Sequence, residues 1–247
     1  MKLLLRGYVK KDNYQPKSKR KLFGSYDIDF LEYSYLYKKM IDELTIRYGE
    51  VDLYFSTYDT TPKAYLEKIE KELKPKDIFL CSEVQSSQFT TVCDALNKTP
   101  FTDAGKDELI IIFRSDILMS DLLIKKLCEF KFSRKNLLYT LCRDKNKAGK
   151  LANQMDIFHA FYPLILKEVK GWMCQGHESA HGIEKIFGVE PIFDINEYSW
   201  LDTKEGYNDY IDKGLIKDIF STWHGIENTY YGHEKYIDFK IRTMKDN

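Results

Sequence analysis

Apolar positions along this chain come in short runs whose period switches between that of a strand and that of a helix. Residues 3–9 begin with Leu3, Leu4 and Leu5 and end in Gly7 and polar positions, which predicts a first buried strand. A long loop follows. From 30 to 48, Leu36, Met40, Ile41 and Leu44 recur on one face at helical spacing, and Gly49 supplies the stop. Residues 51–57 are strand-like, after which Thr60-Thr61-Pro62 has the form of an N-cap with proline in the first helical turn. Tyr65, Leu66, Ile69 and Leu73 are that helix's apolar stripe, and Pro75 breaks it. A third strand is expected over 77–81 and a helix over 88–96. A polar loop with Pro100 and Gly105 then leads into Leu109-Ile110-Ile111-Ile112-Phe113.

That last run is apolar without alternation, as in a strand covered on both faces at the centre of a parallel sheet. The order to this point is βαβαβαβ. Right-handed crossovers make it an open, doubly wound sheet, and such sheets take ligands beyond the carboxyl ends of their strands. Further on, the pattern predicts helices over 121–130 and 163–173 and strands over 137–142 and 156–161. The expected architecture is one α/β domain over 1–247 with an open, mostly parallel sheet, helices on both faces and an irregular C-terminal extension. Residues 1–119 are its ligand-binding half and 120–247 the other.

Composition changes this picture little. Hydrophobic residues are 43% and charged residues 31% of 247, an ordinary globular balance, and no apolar run approaches the roughly 20 residues of a membrane span. Lysine plus arginine (38) equals aspartate plus glutamate (38), so no global basic field points to nucleic acid. A basic stretch at Lys10-Lys11 and 17–21 reads as a solvated loop that lies over an anionic ligand only if one is near. Met1 to Leu5 turns charged at Arg6, unlike a secretory signal. Five cysteines without a C-x-x-C pair suit thiols in a reducing compartment, and a cytoplasmic setting is expected.

The chemistry-bearing residues gather at predicted strand ends. Arg114-Ser115-Asp116 follows the buried fourth strand: Asp116 is placed to hold a divalent cation against a diphosphate, and Arg114 to neutralise phosphate charge. An aspartate capping the next turn and paired with the arginine is the structural alternative. Arg6-Gly7-Tyr8 follows strand one and Ser56-Thr57-Tyr58-Asp59 strand two. Asp27-Ile28-Asp29, which precedes a helix, reads as an N-terminal cap.

Taken in order, Arg6-Gly7, residues 56–59, Phe113-Arg114-Ser115-Asp116 and Asp156-Ile157-Phe158 resemble small GT-A-type glycosyltransferases. Such enzymes occur in bacterial surface-polysaccharide clusters and large DNA viruses of algae, and the resemblance spans roughly residues 1–200. It implies a nucleoside-diphosphate sugar across the strand ends, manganese or magnesium on an acidic motif, and a glycan hydroxyl as acceptor. Arg6, Gly7, Thr57 and Asp59 would then contact nucleoside or ribose, and Asp156 and Glu178 would be candidate bases for an inverting reaction. For a viral protein, the setting would be the host cytoplasm. The family's metal motif is Asp-any-Asp, whereas the first acidic position here is Arg114.

His177-Glu178-Ser179-Ala180-His181 is a literal H-E-x-x-H, which on a helix puts both histidines on one face for zinc with Glu178 activating water. The flanking Gly176 and Gly182 disfavour the packed helix that a zinc site needs, and Glu197 or Glu205 would be the third ligand. A non-catalytic nucleotide- or glycan-binding module is the further alternative. Trp172, Trp200 and Trp223 suit either sugar stacking or core, and His224 and His233 sit in an aromatic C-terminal segment. No P-loop, G-x-G-x-x-G or G-x-S-x-G motif is present.

Overall fold

Leu3, Leu4 and Leu5 are all without solvent exposure in the computed structural model, because the strand that carries them, β1 (Lys2–Arg6), has a strand on either side and helices above and below. The structure describes residues 1–14, 26–32, 34–84, 90–115, 117–118, 121–140, 143–145, 151–153, 158–174, 188–192 and 222–223. Its elements are β1, β2 (Lys10–Tyr14), β3 (Tyr26–Asp29), α1 (Ser34–Tyr48), β4 (Asp52–Tyr58), α2 (Lys63–Leu73) and β5 (Asp77–Cys81). Then come α3 (Thr90–Leu96), α4 (Thr99–Thr102), β6 (Ile110–Arg114), β7 (Ile117–Leu118), α5 (Asp121–Glu129) and β8 (Leu137–Thr140). The last are β9 (Arg143–Lys145), β10 (Leu151–Asn153), β11 (Phe158–Phe161), α6 (Leu166–Met173), β12 (Gly188–Pro191) and β13 (Thr222–Trp223).

Seven strands form one sheet in the order β12-β8-β11-β6-β1-β4-β5. β1 pairs in parallel with both β4 and β6, with Leu3 beside Leu53 on one side and Ile111 on the other. β5 is parallel to β4, and β12 to β8. Only β11 runs against its neighbours β6 and β8, so the sheet is mostly parallel.

Strand alternation divides the core in two. Leu3, Leu5, Phe55, Ile111 and Phe113 meet α1, α2 and α5 through residues such as Tyr37, Met40, Leu44, Ile69 and Leu127. Leu4, Tyr54, Phe79, Ile110 and Ile112 meet α3, α4 and α6 through Val92, Leu96, Phe101, Val169 and Trp172. Each such side chain contributes about 1.5–3 kcal/mol on burial. The architecture is therefore an α/β open sheet covered by helices on both faces, as the sequence pattern predicts.

Local departures have physical causes. The loop expected after the first strand holds the hairpin β2–β3, with Lys10 opposite Asp29 and their side chains paired at 3.3 Å; its polar residues carry no apolar period. Asp29 also accepts the Leu31 amide at 3.2 Å and the Tyr65 hydroxyl at 2.7 Å, the capping role read from the sequence. Thr60 and Thr61 do not cap α2. Its N-cap is Pro62, and the Thr61 hydroxyl bonds Thr57 Oγ1 at 3.0 Å instead. A larger correction concerns the cysteines: Cys93 on α3 and Cys174 at the end of α6 form a disulfide across 81 residues of chain, where thiols alone were expected. Their separation in sequence gave no sign of it. Cys81 and Cys128 are free, and burial raises each thiol to about 11. Among the described residues no helix is long and apolar enough to cross a membrane.

Candidate functional site

β1 feeds α1 and β4 on one face of the sheet, whereas β5 feeds α3 and then β6 on the other, so the winding reverses between β1 and β6. Sheets of this kind open a ligand crevice at that reversal, beyond the carboxyl strand ends. The residues emerging there are Arg6-Gly7-Tyr8 and Arg114-Ser115.

The two strand ends are locked together. Ser115 donates its amide to the Arg6 carbonyl at 2.8 Å, and its hydroxyl lies 3.1 Å from the carbonyls of both Arg6 and Tyr8. Gly7 donates to the Ser56 carbonyl at 3.0 Å with φ +126, a conformation that suits only glycine, and a Cβ there would lie 3.1 Å from Ser115 Oγ. From below, the buried Tyr37 hydroxyl donates to the Arg114 carbonyl at 2.5 Å. Arg6 and Arg114 are register partners on adjacent strands, so both side chains leave the face of Leu4 and Ile112. Two arginines therefore stand side by side where β1 and β6 end. Arg6 is buried and Arg114 half-buried.

A second group of residues forms where β4 and β5 end. Thr57 is buried, bonded through Oγ1 to Thr61, and its carbonyl accepts Cys81 Sγ at 3.2 Å. Asp59 is exposed and accepts the Glu83 amide at 3.2 Å. Glu83 is the hub: Lys11 Nζ reaches its carboxylate at 2.5 Å, the Tyr8 hydroxyl at 3.1 Å, and the Thr60 hydroxyl also donates to it. Burial pushes this carboxyl up, but the donors led by Lys11 outweigh it, and Glu83 titrates below its usual range. Tyr8 lies against Tyr58 with ring centroids 4.3 Å apart, and Lys11 Nζ stands 5.7 Å above the Tyr8 ring. Glu83 belongs to no motif in the sequence and lies two residues beyond the end of β5. The strand-end rule applied to β5, as to the other strands, would have found it.

Asp116, Asp156, His177, Glu178, His181, Trp200, His224 and His233 lie outside the described residues. Among the described residues no group of three or more histidine, cysteine, aspartate or glutamate side chains is arranged to hold a metal ion. His159 on β11 is buried edge-on to Trp172 at 5.9 Å, which makes both part of the core. A cleft of about 400 Å³ is lined by Asn97, Thr102, Leu166, Lys167, Lys170, Gly171 and Cys174, none of them at the strand ends.

No protein-family model matches the sequence, and no curated protein matches it either. Solved structures similar in chain path include an inositol-1-phosphate CTP transferase from T. maritima, with 10% identity over 88% of this chain and 95% of that one (TM-score 0.47). A 4-diphosphocytidyl-2C-methyl-D-erythritol synthase shares 13% identity over 87% of this chain and 99% of its own (TM-score 0.46). A glycosyltransferase involved in glycosylation of the major capsid of PBCV-1 shares 12% over 99% and 98% (TM-score 0.41). These are likenesses of backbone course alone.

Proposed function

We propose that this chain is a glycosyltransferase that moves a sugar from a nucleoside diphosphate to a hydroxyl of a glycan acceptor. The observation that carries the reading is the winding reversal between β1 and β6, where Arg6 and Arg114 stand in register beside the tight Gly7–Ser115 contact. Paired guanidinium groups at the ends of adjacent parallel strands suit a diphosphate, whose charge grows as the bond to the sugar breaks. Residues 1–119 bind the donor and 120–247 the acceptor. Arg114 neutralises phosphate, while Arg6, Gly7, Thr57 and Asp59 serve the nucleoside and ribose. Asp156 or Glu178 takes the acceptor proton if the reaction inverts.

Asp116, next in the chain to Ser115, is the residue assigned to manganese or magnesium. Bound there, such a cation would neutralise the charge that grows on the diphosphate.

The test is a thermal-shift screen of the full chain against nucleoside diphosphates, with and without manganese. A nucleotide at a hundredfold excess over its Kd adds about 2.7 kcal/mol, and the midpoint rises by roughly 5–10 °C. Asp116→Asn is expected to keep the fold and lose most donor turnover. Absence of any nucleotide effect overturns the reading, and unchanged turnover of the variant at saturating metal overturns the role given to Asp116.

A further inference from the structure

We infer that Cys93 and Cys174 form a redox-sensitive clasp, a reversible thiol–disulfide pair that fastens α6 to α3 and opens in the folded protein. The link joins cysteines 81 residues apart, one in each half of the chain. Both helices it joins are short, seven and eight residues, lengths at which a helix has little stability of its own. Their positions therefore depend on what they touch. α3 is seated by Val92, Ala95 and Leu96 and by the Ser56 hydroxyl, which donates to the Thr91 carbonyl at 2.8 Å. α6 is seated by Val169, Trp172 and Met173.

Cys93 packs against the edge of that cluster, and Cys174 lies at its solvent side. Cys174 is exposed and Cys93 half-buried, and a cleft of about 320 Å³ lined by Thr90, Cys93, Asp94, Asn97, Met173 and Cys174 opens on the bond. An attacking thiolate needs such access, which the buried Cys81 lacks. The thiolate of a small dithiol attacks Cys174 Sγ and expels Cys93 as a thiolate, giving a mixed disulfide. The dithiol's second sulfur, as thiolate, then closes on the first and releases Cys174. Two electrons and two protons pass from the dithiol to the protein, and a low-molecular-weight disulfide such as oxidised glutathione reverses the exchange. The opened state keeps the seven-stranded sheet, whose strands the bond does not touch, and frees the end of α6.

The experiment uses the full chain with no nucleotide present, so its outcome is independent of the transferase reading. Protein equilibrated with oxidised glutathione is treated with dithiothreitol without denaturant. Thiols are mapped by alkylation and mass spectrometry, and backbone hydrogen exchange is followed by segment. Cys93 and Cys174 are expected to resist alkylation before reduction and to label together afterwards, about tenfold or more faster than the chain unfolds. Exchange in α6 is expected to quicken about tenfold, with β1, β4 and β6 unchanged. Cys93→Ala/Cys174→Ala should reproduce the reduced pattern and ignore dithiothreitol; should it not fold, reduced wild type decides. Both cysteines labelling in the oxidised protein, opening only at the unfolding rate, or unchanged exchange in α6 after reduction would each overturn the proposal.

Discussion

Gly7→Ala tests whether the contact between β1 and β6 is as tight as its geometry implies. A side chain at φ +126 costs about 1–3 kcal/mol wherever the surroundings hold the backbone in place, as the bonds from Gly7 to Ser56 and from Ser115 to Arg6 do here. The added methyl also meets Ser115 Oγ at 3.1 Å. That hydroxyl lies between the Arg6 and Tyr8 carbonyls, so giving way sacrifices a hydrogen bond worth about 1 kcal/mol. The sum is roughly 2–4 kcal/mol, or about 5–15 °C in the melting midpoint of a chain this long. Urea and thermal unfolding of Gly7→Ala, Ser115→Ala and the double variant separate the two contributions. Removing the hydroxyl should relieve the contact but not the dihedral cost, leaving a coupling of about 1 kcal/mol between the sites. A Gly7→Ala protein within about 0.5 kcal/mol of wild type would refute the reasoning, because surface substitutions alone produce changes of that size.

Tyr37→Phe removes the donor that holds the Arg114 carbonyl from below and should cost about 1–2 kcal/mol in urea unfolding, with a parallel loss of nucleotide-dependent stabilisation if the crevice binds the donor. Glu83 has its carboxyl lowered in the folded state, so the stability it contributes is complete above the unfolded pKa, about 4.3, and is lost as pH falls through the lower folded value. Thermal midpoints of wild type and Glu83→Gln should therefore differ at pH 7 and converge toward pH 3, and a gap that persists at low pH would show that Lys11, Tyr8 and Thr60 do not depend on the charge.

The central strands β1, β4 and β6 were legible in the sequence because they are buried on both faces. The unbroken apolar run Leu109 to Phe113 reads as a central strand, and the apolar stripes of 36–44 and 65–73 set helices against it. Where order rests on backbone pairing and single polar contacts, the periodic signal fails, which is why the β2–β3 hairpin and the Pro62 start of α2 went unread. Local sequence could name the residues at each strand end but not which ends are neighbours. Strand order is decided by the crossovers, and only the three-dimensional arrangement puts Arg6 beside Arg114, Gly7 against Ser115, and Glu83 within reach of Lys11 from 72 residues away. The Cys93–Cys174 bond belongs to the same class, since it exists only because α3 and α6 share one face of the sheet, and sequence spacing carries no record of which helices lie on which side.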